Sequence, residues 1–578
     1  MRKLLSQLLP SSNYNFVAAD GVTPIDKKET SNIPISNLVF DSREVTKDSL
    51  FFALPGIHSN GNNYIPQAIE NGANAIVFQG DLEYSLQIKI AKAIAKRQIE
   101  AAVYDENINY FPVLIKVEDS RFSMAPISDN FYDSPSKKLV VIGVTGTEGK
   151  SSTVSFIWQL LRLCGKKAGF ISTVEYSFGD EAIPNPEHQT TPEAPIIQHH
   201  LNKMLENGCQ YAVIESSSHG LSPKTNRLGN VLFDCGVFMN VTLEHLEFHK
   251  TFDQYQKDKA NLFRSLDIHE HTKTIAGEIV NVPSFGIVNL EDPSAEYFIN
   301  STKKQVYGFT TQGSAGKAAT NKTVELPEIP NGIHYFEGTN ISSQKTGISF
   351  DINIHEETTQ NSEHLNELPY LKINAKLPGA FNAYNVMASI ITVSKLTKLP
   401  YEEVALKANE IKPIKGRMTV IEQGQPFEVI IDYAHTPSSF ETIFPPIRKR
   451  CSGKIIVLFG SGGERDLTKR PLQGKIAAAY CDTIILTDED PRGENPEELL
   501  KMIAVSSEEQ GKKINEDLFI IPDRKKAIRT AFKMAQKDDI VLLLGKSHEN
   551  SIIYKDYVMP YDEISEAKLA LSELGFTE

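Results

Sequence analysis

The stretch VVIGVTGTEGKSSTVSF, residues 140 to 156, runs β-branched apolar residues into a turn carrying Gly143, Gly146 and Gly149 and then Lys150, Ser151 and Ser152. A glycine-rich turn between strand and helix aims backbone N–H groups and a helix N-terminus at an anion. Lysine at its end reaches outer phosphates, and the adjacent hydroxyl is suited to Mg²⁺. The usual loop, G-x-x-x-x-G-K-[ST], has glycine six positions before the lysine, where this chain has Val144. It is therefore read as a nucleotide loop of variant spacing.

Other groups capable of chemistry follow strand-like runs. Glu215 ends VIE in VIESSSHGL, and NVTLEHLEFH supplies Glu244, His245, Glu247 and His249. A carboxylate and an imidazole near a phosphate-bound Mg²⁺ would neutralise charge developing in phosphoryl transfer. In FDQYQKDKANLF, Tyr255, Lys259 and Leu262 share one helical face, and spacing alone makes Lys259 a solvated lysine. Near the C-terminus, GGERD offers Arg465, EDPRGENP offers Asp490 and Arg492, and GKSHE offers Glu549. Two guanidiniums and two carboxylates in one cleft suit a zwitterionic amino acid, since arginine forks onto carboxylates and acids hold ammonium groups.

These groups need an α/β framework. Residues 1 to 137 alternate short β-rich runs with helical stretches, and YDSPSKK reads as a linker. A second segment, 138 to 414, begins with the strand and glycine loop and predicts a mostly parallel sheet under helices. Residues 311 to 370 within it are rich in small and polar residues and read as a peripheral insertion with no site. The third segment, 415 to 578, has strands FEVIID, KIIVLFG, DTIILTD and DIVLLLG, each running into a polar motif. Ligands collect beyond the carboxyl ends of parallel strands, so four motifs there imply one shared cleft.

Composition narrows the partners. With 578 residues and a formal charge of −13, the chain has room for several domains and no basic surface for nucleic acid. Its five cysteines, Cys164, Cys209, Cys235, Cys451 and Cys481, form no CxxC and read as reduced thiols of a cytoplasmic protein. No stretch has the length of a membrane span, so no membrane insertion is expected. His199 and His200 read as surface residues and Trp158 as core.

Taken in order, DSREVTKDSLFFALPG, GVTGTEGKSS, TTPE, ESSSHGL, NVTLEHLEFH, KANLF, LPGAFNAYN, GRM, DYAHTP, GGERDLTKRP, DPRGENP and GKSHE resemble the Mur ligase family over nearly the whole chain. The resemblance implies three domains: a UDP-substrate domain, a P-loop central domain and a Rossmann-like C-terminal domain. It implies a monomeric ligase in peptidoglycan precursor synthesis that adds a diamino acid to UDP-N-acetylmuramoyl-L-alanyl-D-glutamate. ATP would phosphorylate a substrate carboxylate, and an amine would attack the acyl phosphate.

Residue by residue, the resemblance places Gly146, Thr147, Glu148, Gly149, Lys150, Ser151 and Ser152 at ATP phosphates, with Asn289, Arg417 and Asp432 as further ATP contacts. Ser151 and Glu215 would hold one Mg²⁺, and His245 would help hold a second. Lys259 would be carbamylated by CO₂, which reverses the reading from spacing. Phe40, Ser42, Ile57, His58 and Ser59 match uridine positions, and Gln189, Thr190, Thr191, Ser217 and Arg227 match muramoyl-dipeptide positions. Arg465, Glu489, Asp490, Pro491, Arg492, Gly545 and Glu549 match the amino-acid pocket.

The chain departs from the family pattern at four points, one of them two extra residues in GLSPKTNRL, the stretch that holds Arg227. Where diaminopimelate-adding members show DNPR, Glu489 to Arg492 read EDPR: Arg492 favours a second carboxylate, hence meso-diaminopimelate, whereas Asp490 attracts an ammonium and keeps L-lysine or L-ornithine open. Ser547 replaces a glycine, and Glu148 puts a carboxylate beside the phosphates where asparagine is usual. Rival readings are a catalytically inactive scaffold of the same fold, a folylpolyglutamate synthase and a P-loop motor. The motor fails on loop spacing, and the synthase lacks the domain with DSREV.

Overall fold

Apolar runs become strands covered on both faces, as Val140–Thr145 illustrates: all six residues are buried. Val140, Ile142 and Val144 enter the core on one side of the sheet, and Leu139 and Val141 enter the core on the other. That alternation is the two-residue period of a strand between two helical layers. The computed structural model describes residues 1–577 apart from 10–13, 27–31, 57–58, 105–111, 187–188, 243, 314, 316–327, 331, 346 and 356–369.

Three main sheets carry the chain. The first has five strands in the order Asn15–Val17, Val113–Val117, Ala73–Gln79, Ser49–Phe52 and Asn37–Val39. The central sheet has eleven strands, and seven run parallel, from Ala168–Ile171 through Tyr211–Glu215, Val140–Thr145, Cys235–Phe238, Phe285–Asn289 and Gln305–Thr310 to His334–Gln344. The third has six, with Glu428–Asp432, Ile540–Leu544, Ile455–Phe459, Thr483–Leu486 and Leu518–Ile520 parallel and Thr419–Ile421 antiparallel at its edge.

Helices bring the chemistry to strand ends. Lys150–Leu163 covers one face of the central sheet with Asn382–Thr397, and Phe252–Arg264 covers the other. Gly143 lets that last helix approach closely, because a Cβ there would stand 2.4 Å from Leu262 Cδ1.

The described strands within 311–370, the stretch read as a peripheral insertion, are built into the edge of the central sheet. His334–Gln344 and Gly347–His355 extend the central sheet, and Phe336, Phe350, Ile352 and Ile354 join the main core. Alternating polar residues marked a strand pair with one wet face. The pair His199 and His200 is also less superficial than its composition suggests. The His200 ring stacks on Tyr176 at 5.0 Å, and burial lowers its pKa to about 4.

Candidate active site

Gly149 caps the helix Lys150–Leu163 at φ +81, and no side chain caps it, so the first-turn amides are left for a ligand. A Cβ at Gly149 would also meet Asn385 Oδ1 at 2.8 Å. Asn240 shapes the loop from the next strand end: its Oδ1 accepts the N–H groups of Thr147 and Glu148 at 3.0 and 2.8 Å. Lys150 Nζ donates to the Thr147 carbonyl at 2.7 Å. Ser151 Oγ donates to Glu215 Oε1 at 3.1 Å, and the other Glu215 oxygen accepts Thr173 N–H at 2.8 Å.

Lys259 lies directly beneath this loop. It is 2% exposed, its Nζ donates to the Gly146 carbonyl at 2.5 Å, and it sits over the Tyr255 ring. Burial, then the neighbouring Lys150, push its pKa well below the ordinary lysine range, against the pull of Glu244, Glu148 and Glu215. Burial and Lys150 thus favour the uncharged amine over the ammonium.

His245 adopts φ +57 and stands between two carboxylates, Nε2 at 3.6 Å from Glu244 and Nδ1 at 3.4 Å from Glu247. Burial opposes ionisation of Glu244, yet His245, His435, Lys150 and Lys259 hold its carboxyl down at about 2. The His245 hydrogen bond is the main cause that keeps Glu247 at about 2 as well. The His219 ring lies edge-on 5.0 Å from His245, and burial lowers its pKa to about 3.

One cavity of about 580 Å³ joins this loop to the strand ends of the third sheet. Of the expected ATP-site residues it is lined by Thr147 to Ser152, Asn289, Arg417 and Asp432, and Glu215 and His245 face it too. Arg417 crosses the domain boundary, with Nη2 3.3 Å from Ser151 Oγ and its guanidinium over the Tyr433 ring. The buried Nε of Arg417 has no partner among the described residues, which leaves a donor for an anion. Asn289 is committed to the Met239 carbonyl and to Glu291 N–H, and Asp432 to the N–H groups of Met418 and Ala434. Both therefore shape the cavity wall.

Glu148 has a different neighbour from the phosphates. Its Oε1 accepts Thr436 Oγ1 at 2.8 Å, and Thr436 is the N-cap of the helix Pro437–Arg450. The extra negative charge thus sits at the positive end of a third-domain helix, which stabilises it. Ser547 Oγ donates to the Gly416 carbonyl, a bond within the third domain.

In the amino-acid region, Arg465, Glu489, Asp490, Arg492 and Glu549 line the cavity, whereas Pro491 and Gly545 do not. Gly545 acts by leaving room: a Cβ there would stand 2.8 Å from Glu489 Oε2. Asp490 is not a free carboxylate, since its Oδ1 accepts Lys546 Nζ at 2.8 Å and Ile553 N–H at 3.0 Å. Lys546 also bonds Glu549. Arg492 Nη2 stands 3.8 Å from Asp490 Oδ2, while Nη1 donates to the Gly463 carbonyl at 3.2 Å. Glu489 Oε2 is buried with no partner among the described residues.

Among the described residues, the remaining expected ones do not line this cavity, apart from Thr190. Ser42 Oγ donates to Gln67 Oε1 within the first domain, and Phe40 packs on that domain's core. Ser59 is exposed, Gln189 is exposed, and Ile57 and His58 fall outside the described residues. Thr191 Oγ1 donates to the Glu215 carbonyl and accepts Ser217 N–H, and Ser217 Oγ caps the short helix Ser218–Leu221. Arg227 donates to the Thr191 carbonyl and pairs with Glu193, which also takes Arg121 from the first domain. Its buried Nε has no partner among the described residues, a second donor suited to an anion.

Sequence reasoning missed Asn240, Lys546, Tyr433, His435 and Thr436. Only DYAHTP, quoted without roles, carried a signal for the last three. Asp234, His269 and His271 also cluster, but Lys273 Nζ bonds Asp234 and both nitrogens of each ring meet oxygens of the chain, so this is a structural knot.

Asp488, beside the pocket, gives a pH test of this wall. Burial raises its pKa to about 6, and Tyr554 donates to it at 2.9 Å. Because the folded value lies above the ordinary one, this group's contribution to stability is complete below about pH 4 and lost as pH rises through 6. Asp488→Asn should therefore gain about 1–3 kcal/mol over wild type at pH 7.5 and about a third as much at pH 4.5. Urea unfolding at both values checks it; a gain independent of pH would rule out ionisation as the cause.

Fold and cleft together define a three-domain α/β protein in which the glycine-rich loop faces the strand ends of the third sheet across one cavity. The Mur ligase middle domain matches residues 144–393, the Mur ligase glutamate ligase domain 416–547, and the Mur ligase family catalytic domain 34–121. The UDP-N-acetylmuramyl-tripeptide synthetase of Treponema denticola is 50% identical across 93% of this chain and 94% of its own. The UDP-N-acetylmuramoyl-L-alanyl-D-glutamate–2,6-diaminopimelate ligase of Caldanaerobacter subterraneus is 33% identical across 94% and 96%. A solved ligase of the latter name shares the fold with TM-score 0.54 and 22% identity, covering 97% of this chain and 100% of that one. The chain belongs to the Mur ligase family, and it is a peptide-forming, ATP-dependent enzyme. Among the described residues no helix is long and apolar enough to cross a membrane.

Proposed function

We propose that this protein uses ATP to join a diamino acid to UDP-N-acetylmuramoyl-L-alanyl-D-glutamate in peptidoglycan precursor synthesis. The observation that carries the reading is the single cavity in which a nucleotide loop faces a zwitterion-suited pocket. Phosphoryl transfer from ATP to a carboxylate of the acceptor makes an acyl phosphate, and the amine displaces inorganic phosphate to leave an amide. A carboxylate is otherwise too poor an electrophile, which is why ATP is coupled.

In this reading the loop amides and Lys150 hold the phosphates, and Arg417 Nε donates to them across the domain boundary. Ser151 and Glu215 fit one Mg²⁺ and His245 a second, and bound Mg²⁺ would neutralise charge on the phosphoryl oxygens. Lys259 fits a CO₂-derived carbamate, because a neutral buried amine adds CO₂ with loss of a proton and Lys150 balances the resulting charge. The first-domain residues Phe40, Ser42, Ile57, His58 and Ser59 would take the uridine end. Thr190 and Arg227, with Gln189, Thr191 and Ser217, would take the muramoyl-dipeptide.

The pocket supports meso-diaminopimelate, whose distal end is a zwitterion. Arg492 would take its carboxylate and the unpartnered Glu489 oxygen its ammonium. One observation favours L-lysine or L-ornithine instead: Arg492 already lies near Asp490, so its charge is partly spent. Phosphate release with ATP, Mg²⁺ and the UDP-linked acceptor, run with each amino acid and checked by product mass, decides between them. Glu489→Gln should raise KM for the accepted amino acid about tenfold or more with little change for ATP. Silence with all three amino acids would overturn the proposed reaction.

A further inference from the structure

We propose that His435 is the general base that takes a proton from the attacking amine, an inference that rests on the ligase reading above. His435 Nδ1 lies 2.8 Å from the Tyr433 carbonyl oxygen. A carbonyl only accepts, so Nδ1 carries the hydrogen and Nε2 keeps its lone pair. Among the described residues Nε2 faces Glu244 Oε1 at 3.8 Å, beyond hydrogen-bond reach. The backbone is fixed as well, since the His435 carbonyl accepts Gln473 Nε2 at 3.0 Å and Lys469 Nζ at 3.5 Å.

Position matches this role. His435 lines the same cavity as Glu244, Lys150, Arg465 and Glu489, with Nε2 3.8 Å from Glu244. Five charged or titratable groups face it among the described residues: Lys469 and Tyr433 from its own domain, His548 on the loop after the last parallel strand, and Glu244 and Glu148 from the central domain. Burial and Lys469 lower its pKa below the ordinary imidazole value, against the pull of Glu244 and Glu148, which favours the ring form that the Tyr433 carbonyl contact sets, with Nε2 free to accept a proton.

The other groups in reach are worse bases. Glu244 Oε2 already stands 3.6 Å from His245 Nε2, so that carboxylate is shared. The Tyr433 hydroxyl is pushed well up and donates to Glu549. Glu549 is itself occupied by Lys546.

The step balances as follows. The neutral amine's lone pair forms the N–C bond at the acyl phosphate carbonyl, whose π electrons move onto oxygen. Nitrogen becomes cationic and Nε2 takes one of its protons. The oxyanion then re-forms the carbonyl as the C–O bond to phosphate breaks, and the imidazolium returns its proton to solvent.

Hydroxylamine separates this role from a structural one, because it is a weakly basic nucleophile that is unprotonated at neutral pH and attacks acyl phosphates without base help. His435→Gln in the full-length protein should lower peptide formation about 10²–10⁴-fold, while ATP-dependent hydroxamate formation from the UDP-linked acceptor stays within about threefold of wild type. The acid limb of the wild-type pH profile for kcat/KM should vanish in the variant. Parallel loss of both products would make His435 structural, and unchanged peptide formation would exclude it; either overturns the inference. Wild-type protein that forms no hydroxamate overturns the ligase reading itself, a failure distinct from that of the base.

Discussion

Lys259→Ala should lose about 10³-fold or more in peptide formation, with added small carboxylates restoring part of it. The expectation follows from burial. A lysine 2% exposed, hydrogen-bonded to the Gly146 carbonyl and flanked by Lys150, is costly to hold as an ammonium. As a neutral amine it is a nucleophile toward CO₂, and the carbamate would place an anion where the phosphate loop and His245 need one. The alanine leaves a hole beneath the loop that formate or acetate can enter. Two measurements check this: phosphate release with and without carboxylate, and a ¹³C carbamate resonance in wild-type protein under ¹³CO₂. Wild-type activity in the variant without carboxylate would refute the role of Lys259.

How far the sequence disclosed this site depends on the range of the interactions. The glycine loop and Glu215 were legible because a strand, a turn and an amphipathic helix are local patterns. The face shared by Tyr255, Lys259 and Leu262 was legible too, but its burial was not, since only the sheet beneath makes it the inner face. Lys546 escaped notice because its meaning comes from Asp490, distant in sequence, and the same distance hid the bond between Glu148 and Thr436. The half-wet strands His334–Gln344 and Gly347–His355 looked peripheral because one face is polar, although the other face completes the main core.

The same limit applies to the largest stability effect expected here, which belongs to the ion pair of Arg524 and Glu563. Both are fully buried, and Arg524 Nε and Nη2 donate to the two Glu563 oxygens at 2.9 and 2.8 Å. Arg524 also donates to the carbonyls of Leu544 at 2.7 Å and Asp488 at 3.3 Å. It therefore pins the ends of the two strands from which Glu489, Asp490, Lys546 and Glu549 extend. Glu563→Gln leaves a buried guanidinium uncompensated and should cost about 3–5 kcal/mol. The double variant Arg524→Met with Glu563→Leu fills similar volume without charge, so it should recover most of that loss. It should not recover the pocket: with both carbonyl bonds gone, KM for the amino acid should rise while KM for ATP changes little. Urea unfolding of the three proteins, followed by a probe in the third domain, reads the first effect and steady-state kinetics the second. A single variant costing less than about 1 kcal/mol would mean that water or a neighbouring group satisfies Arg524, and that the pair does not set the pocket.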